Sequence, residues 1–307
     1  MCISFCRTLR QALPELAEGC SLGIENFTSQ VVDFRTASGY ANAMTTVSTK
    51  PVGHLLREWR QRRRLSQLEL AVEADISAKH LSFLETGRAS PSREMLLHLA
   101  EYLEVPPREQ NLLLVAAGYA PIFPEHDLDA PELEAARQAV ELVLKSHEPF
   151  PALAIDRHWH LVAANRAVPK LLAGLPPKLL QPPINVVRLS LHPDGLASQI
   201  VNYPAWAAHV HARLRRQIEI SADTFLVELL HEVSAYPMPH NQHRQHDQGA
   251  VVVPFELRTP YGLLSFITTT TVFGTPIDIT LSELALELFF PADRATSEAM
   301  QRLIQDP

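Results

Sequence analysis

LSQLELAVEADISAKHLSFLETGRASPSR, residues 65–93, decides how the N-terminal half folds. Ser66 followed by Glu69 is a capping-box pattern, so a helix starts after Ser66 with Leu68, Leu70 and Ala71 expected inward. Ala74-Asp75-Ile76 reads as a tight turn. Ser77 is placed to cap the next helix, which turns Leu81 and Leu84 inward. Gly87 is positioned to end that helix in the left-handed conformation.

The flanking sequence extends this pattern. Val52, Leu55, Leu56 and Trp59 form an i, i+3, i+4, i+7 stripe on a preceding helix that runs to Arg64. Arg57, Arg60, Arg62, Arg63 and Arg64 ring its polar side and C-terminal end. They form either a solubilising face or a phosphate-facing one. Pro91-Ser92 opens a further helix with Met95, Leu96, Leu99, Ala100 and Leu103 as its apolar face. Pro106-Pro107 breaks the chain before a last helix, Arg108 to Ala117, that ends at Gly118. The expectation is five short helices packed as one all-α domain over residues 51–118.

Residues 1–50 are weakly patterned and read as an extension, with Met44 a candidate start. Residues 119–130 read as a turn-rich linker. A second domain, 131–307, opens with an amphipathic helix from Pro131 to Ser146 (Leu133, Ala136, Val140, Val143 and Leu144 inward), either its first element or a dimer contact. Ala152–Ile155 and Trp159–Ala164 read as strands around the turn Asp156-Arg157-His158, and Asn165 as the cap of a short helix. Residues 175–248 read as loops and helix, with helices at Trp206–Ile220 and Thr224–Ala235. Strands return at Val251 to Leu257, at Leu263 to Val272 and at Leu284 to Phe290. In the last, leucines alternate with Glu283, Ala285 and Glu287, as in a half-buried strand. Thr296 to Ile304 is a terminal helix. The fold class expected is therefore an α domain followed by an α+β domain.

Composition narrows the function. At 307 residues and 46% hydrophobic, the chain is long enough for two cores. A formal charge of −7 argues against bulk electrostatic binding to nucleic acid but leaves room for a local patch. Cys2, Cys6 and Cys20 form no disulfide framework and no CxxC pair, which suits a cytoplasmic protein. No apolar run has the length of about 20 residues that spans a bilayer, so no membrane partner is expected. The Gly patterns of nucleotide-binding loops are missing, as are G-x-S-x-G and H-E-x-x-H, so no enzyme and no catalytic residue is expected. His240, His243 and His246 recur at steps of three, but Pro237, Pro239, Gly249 and an internal Arg244 favour a solvated loop over a metal site. His209 and His211, two apart on a helix, diverge. No metal and no cofactor is expected.

SQLELA, a turn, then S-x-x-x-L-S-x-L-E-x-G-R and PS resemble the xenobiotic-response-element family of helix-turn-helix regulators, kin to the lambda repressor. The one departure is Asp75, where that family often has Gly. The resemblance implies a lambda-repressor-like domain whose second motif helix, Ser77 to Leu84, lies in the major groove of a DNA operator. Ala78, Lys79 and Ser82 would then face the bases, beside His80 or Phe83. Lys79 would reach guanine and Ala78 a thymine methyl. Ser77 and Arg88 would meet phosphates, and Gln67 would support a phosphate contact while bracing the recognition helix.

PALAIDRHWHLVAAN, HPDGL with the later IVNY, and TTTTVFGTPIDITLSELALELFFPAD resemble the ligand-binding domain of MmyB-like transcription regulators, which is PAS-like. That resemblance implies a cavity for an apolar, fatty-acid-like ligand. Candidate lining residues are Trp159, Leu161, Phe255, Phe266 and Phe273, with Arg188 or Asn202 for a polar head. The functional expectation is a homodimeric transcription regulator whose ligand modulates operator binding. The alternative is a protein-interaction adaptor coupled to a lipid-binding sensor.

Overall fold

A computed structural model describes residues 50–239, 252–274 and 276–305. The expectations for residues 1–49, and those for His240, His243 and His246, lie outside the described residues. The N-terminal helices are α1 (Val52–Arg62), α2 (Gln67–Glu73), α3 (Ala78–Glu85), α4 (Arg93–Tyr102) and α5 (Pro107–Ala116). Local chemistry sets their ends. Ser66 and Glu69 make both arms of the capping box on α2. Ser77 Oγ accepts from His80 N at the start of α3, and Ser92 Oγ accepts from Met95 N at the start of α4. Asp75 adopts φ 49° in the turn and Gly87 φ 72° after α3. Asp tolerates this left-handed geometry better than most residues, so glycine is not obligatory at Asp75.

Leu56, Trp59, Leu70, Ala71, Leu81, Leu84, Leu96, Leu99, Leu103, Leu113 and Leu114 form the core of this domain. Leu68, expected inward, is 65% exposed. In a helix of seven residues, burying Leu70 and Ala71 turns position 68 outward.

The C-terminal domain is one antiparallel sheet of five strands in the order β2-β1-β5-β4-β3. Its strands are β1 (Ala152–Ile155), β2 (Leu161–Ala164), β3 (Phe255–Thr259), β4 (Gly262–Val272) and β5 (Ala285–Pro291). A short 3₁₀ turn, Pro131–Leu133, leads into α6 (Glu134–Ser146), which packs Val140 and Leu144 against Ala152, Ala154, Leu284 and Leu286 on one sheet face. The opposite face is covered by α7 (Ala167–Leu172), α8 (Val186–Leu191), α9 (Tyr203–Ser221), α10 (Thr224–Ser234) and, after the short α11 (Ile279–Ser282), by α12 (Arg294–Gln305). Buried Asn165 joins the layers. Its Oδ1 accepts from Ala152 N and Ala167 N, and its Nδ2 donates to Leu144 O and Phe150 O.

The elements of the C-terminal domain differ from the sequence expectations at several places. The strand expected from Trp159 starts only at Leu161, because Trp159 takes φ 65° in the hairpin turn. Of the strand expected over Val251 to Leu257, Val251 lies outside the described residues and the described strand starts at Phe255. Val186–Leu191, in a stretch read as loops and helix with Arg188 either exposed on a strand or paired, is a helix because Asn185 Oδ1 caps it through Val187 N and Arg188 N. The strand at 285–291 is buried on both faces rather than one. Leu286 and Leu288 face α6, while Glu287, 4% exposed, faces the helices of the other layer.

Gly53 sets how closely α1 approaches α3. A Cβ there would lie 2.2 Å from Leu84 O and 2.8 Å from Glu85 O, both backbone atoms. In an ordinary helix Gly→Ala gains about 1 kcal/mol. Here the sign reverses, and Gly53→Ala is expected to destabilise the helical domain by about 1–3 kcal/mol through overpacking. Urea denaturation of wild type and variant checks the direction.

Candidate functional site

The outward face of α3 carries the residues singled out in the sequence. Ser77 and Lys79 are exposed, and Ala78, His80 and Ser82 are half-buried. Arg88, just beyond the helix, is exposed. The Lys79 ammonium lies 5.7 Å and the Arg88 guanidinium 5.8 Å from the centre of the Phe83 ring. One aromatic ring thus has two cations beside it, one from the first turn of α3 and one from just beyond its C-terminus.

Beneath α3 is a buried polar network. Arg60 donates to Glu85 through Nε (2.6 Å) and Nη2 (2.8 Å), and Nη1 donates to Leu65 O at 2.7 Å. Gln67 Nε2 donates to Glu85 Oε2 at 2.8 Å. Gln67 therefore ties the start of α2 to the end of α3. Arg60 is part of this network rather than of a solvent-facing cluster. Arg63 is likewise engaged, donating to Leu103 O and Glu104 O at 2.7 Å each. That leaves Arg57, Arg62 and Arg64 exposed. Burial alone would push the Glu85 carboxyl up, but the hydrogen bonds from Arg60 and Gln67 outweigh it and hold the group below its ordinary 4.5.

A group whose folded pKa is depressed contributes stability above its unfolded value and loses it as pH falls through the folded one. The Glu85 contribution should therefore be complete above pH 4.5 and fade in more acid solution. Glu85→Gln should cost about 3–5 kcal/mol near neutrality by stranding buried Arg60, and should flatten the acid limb. Chemical denaturation as a function of pH measures both.

The second feature is a cavity of about 110 Å³ between sheet and helices. Its wall is built by Leu153 from β1, Trp159 and Leu161 from the β1–β2 hairpin, Val187 and Leu189 from α8, Trp206 and Val210 from α9, Phe255 and Leu257 from β3 and Phe289 from β5. Of the residues named from the sequence, Trp159, Leu161 and Phe255 are among those that line this cavity. Phe266 is buried in the same core behind the lining. Phe273 packs with the α6 side of the sheet, because it lies beyond the end of β4.

The charged wall residues are Arg213 and Glu287, which pair at 2.6 Å; Thr270 Oγ1 accepts from Arg213 Nη2 and donates to Glu287 Oε1. The Arg213 guanidinium also lies 4.6 Å from the centre of the Trp159 ring. Arg188 and Asn202 are used elsewhere. Arg188 is doubly bonded to Glu232, and Asn202 Nδ2 donates to Pro254 O. Sequence patterning missed Arg213 because it sits in an unremarkable Arg-Leu-Arg-Arg run on a polar helix. It missed Glu287 because an acid in an alternating strand reads as solvent-facing.

A third feature is the seam between the two domains. Arg108 on α5 donates to Glu283 through Nε (2.8 Å) and Nη2 (3.0 Å), and to Glu125 through Nη1 and Nη2. Pro124 O accepts from Ile279 N, and His126 Nδ1 lies 2.8 Å from Asp278 Oδ2. The linker is thus packed against α11. Burial at this seam pushes the Glu109 carboxyl up despite the attraction of Arg157 and Arg108.

Comparison with known proteins agrees with this division. Residues 136–303 match the MmyB-like transcription regulator ligand binding domain, and residues 51–113 match a helix-turn-helix domain. The first match covers more than half of the chain. The chain belongs to the family of MmyB-like transcription regulators, with a helix-turn-helix domain ahead of the ligand-binding domain. One curated relative is the uncharacterized HTH-type transcriptional regulator RghRB of Bacillus subtilis (strain 168), 39% identical over 83 residues. That alignment covers 27% of this chain and 58% of the relative's length. Among the described residues no helix is long and apolar enough to cross a membrane.

Proposed function

We propose that the protein is a cytoplasmic, sequence-specific DNA-binding regulator, not an enzyme, whose operator affinity is set by a small apolar ligand in the C-terminal cavity. The observation that carries the DNA half is the outward face of α3: Lys79 and Arg88 gathered on Phe83, above a helix braced by Glu85, Arg60 and Gln67. In this reading Ala78, Lys79, His80 and Ser82 meet base edges, and Ser77, Arg88 and Gln67 meet phosphates or support that contact. A modest reading face in an acidic chain favours a homodimer on two half-sites about one helical turn apart.

The strand order β2-β1-β5-β4-β3 with helices on the cavity side supports a PAS-like reading of the second domain. An apolar wall with a single charged pair suits a fatty-acid-like amphiphile whose carboxylate competes with Glu287 for Arg213. The cavity is walled by α8, α9, β3 and β5, so an occupant touches elements of both the sheet and the helical layer. β5 carries Glu287 and Phe289 in the cavity wall, and Glu283 just ahead of it grips Arg108 of the DNA-binding domain. A ligand that prefers one arrangement of this seam changes operator affinity by that preference. A second reading, a protein-interaction adaptor, is favoured only by the exposed apolar pair Leu68 and Val72 on α2.

Fluorescence anisotropy with DNA from the protein's own promoter region is the test. Specific affinity should fall steeply with salt, and Lys79→Ala should lower it about tenfold or more, leaving binding to scrambled DNA nearly unchanged. Unchanged specific binding would remove α3 as the recognition helix. A medium-chain fatty acid should shift operator affinity for the wild type, and the shift should shrink in Arg108→Gln although that variant still binds the fatty acid. An equal shift in both proteins would place the coupling elsewhere.

A further inference from the structure

The β1–β2 hairpin carries a cluster used neither by the DNA face nor by the cavity. Asp156, His158 and His160 each offer a ligand atom, and these atoms all lie within 4.8 Å of one another. None of the three lines the cavity. The hairpin turn fixes the arrangement. Asp156 Oδ1 accepts from the backbone N–H of both His158 and His160 at 2.8 Å each, which leaves Oδ2 facing His160 Nδ1 at 3.0 Å. Trp159, between the histidines, takes φ 65° and is anchored in the cavity wall by its indole N–H to Gln217 Oε1. The backbone on both sides of each imidazole is therefore held.

We propose that Asp156, His158 and His160 form a binding site for a divalent first-row transition metal of the zinc, cobalt or nickel class. The donor set suits these ions: two imidazoles and one carboxylate, with no cysteine among the described residues to select a softer metal. Around an ion at about 2.0–2.2 Å from each ligand, neighbouring ligand atoms stand about 3–4 Å apart. The Asp156–His160 separation of 3.0 Å is close to that spacing, and His158 offers its ligand atom within 4.8 Å of both. His158 also has the outer partner that metal-bound histidines use. Asp223 Oδ2 lies 2.9 Å from its Nε2, which assigns Nδ1 to the metal and orients the ring. Phe225 packs against both imidazoles, at 4.4 and 5.4 Å between ring centres, and limits their rotation.

The local charge balance is compatible with a cation. The Asp156 carboxylate belongs to the cluster and Asp223 adjoins it; the Arg157 guanidinium lies 3.6 Å from Asp223 and is shared with Glu283 at 3.8 Å. Three protein ligands leave coordination positions for water or for an external donor. Through Arg157 and Glu283 the site adjoins the residues that hold Arg108, so an ion there would sit beside the domain seam.

Isothermal titration of the full chain with Zn²⁺, and the visible absorption of its Co²⁺ form, test the assignment. The wild type should bind one more equivalent at micromolar affinity than the double variant His158→Gln/His160→Asn, whose circular dichroism serves as the folding control. Asp223→Asn, which keeps all three ligands, should weaken that equivalent about 10–100-fold. Zn²⁺ should raise the melting temperature of the wild type and not of the double variant. Identical isotherms for wild type and double variant, or no Zn²⁺ binding by the wild type at micromolar concentrations, would overturn the site and leave the cluster as a hydrogen-bonded brace of the hairpin.

Discussion

Burial of β1 and β5 on both faces is the constraint that organises the C-terminal domain. Ala152 and Ala154 meet α6 on one side, while Leu153 and Ile155 enter the larger core on the other. The same parity runs through β5. Leu286 and Leu288 face α6, which forces Glu287 into the helical layer beside the cavity. An unpaired carboxylate there would be costly to desolvate. Arg213 reaches across from α9 and Thr270 from the neighbouring strand, so the acid is satisfied and becomes the polar feature of an otherwise apolar wall. The cavity's chemistry is therefore a consequence of strand register.

In the helical domain the corresponding constraint is the contact of α1 with α3. Gly53 lets the two backbones touch, and the Arg60–Glu85 pair with Gln67 locks the contact. α3 is thus held from its buried side, and its outer side is left to Lys79, Ser77 and Arg88. The same economy appears at the seam, where Arg108 bonds to carboxylates of the linker and of the C-terminal domain. At the seam the charged residues are committed to the facing domain, whereas Ser77, Lys79 and Arg88 stay exposed.

Helix ends were legible because they are local. Ser66 with Glu69, Ser77, Ser92 and Gly87 act within a few residues of where they stand, and each did what its type and spacing imply. The apolar stripe of α1, the helix at 134–146 and the long strand at 262–272 were legible for the same reason. The failures share a cause. Arg60 looked like one of a ring of surface arginines because its partner is 25 positions away. Glu287 looked solvent-facing because Arg213 lies 74 positions away. Arg188, for which the sequence left exposure on a strand or pairing open, has its partner Glu232 44 positions away, and Asn202 bonds to Pro254 52 positions away.

The sequence by itself thus determined the two-domain order, the helix-turn-helix with its exposed Ser77, Lys79 and Arg88, and an apolar second domain with Trp159, Leu161 and Phe255 in its core. Only the tertiary structure decided which charged residues are buried, where the cavity's polar pair lies, how α5 meets Glu283, and that Asp156, His158 and His160 converge. The physical reason is range. Capping and periodicity act over one turn of chain, whereas ion pairing and burial depend on neighbours that only the folded sheet and its covering helices bring together.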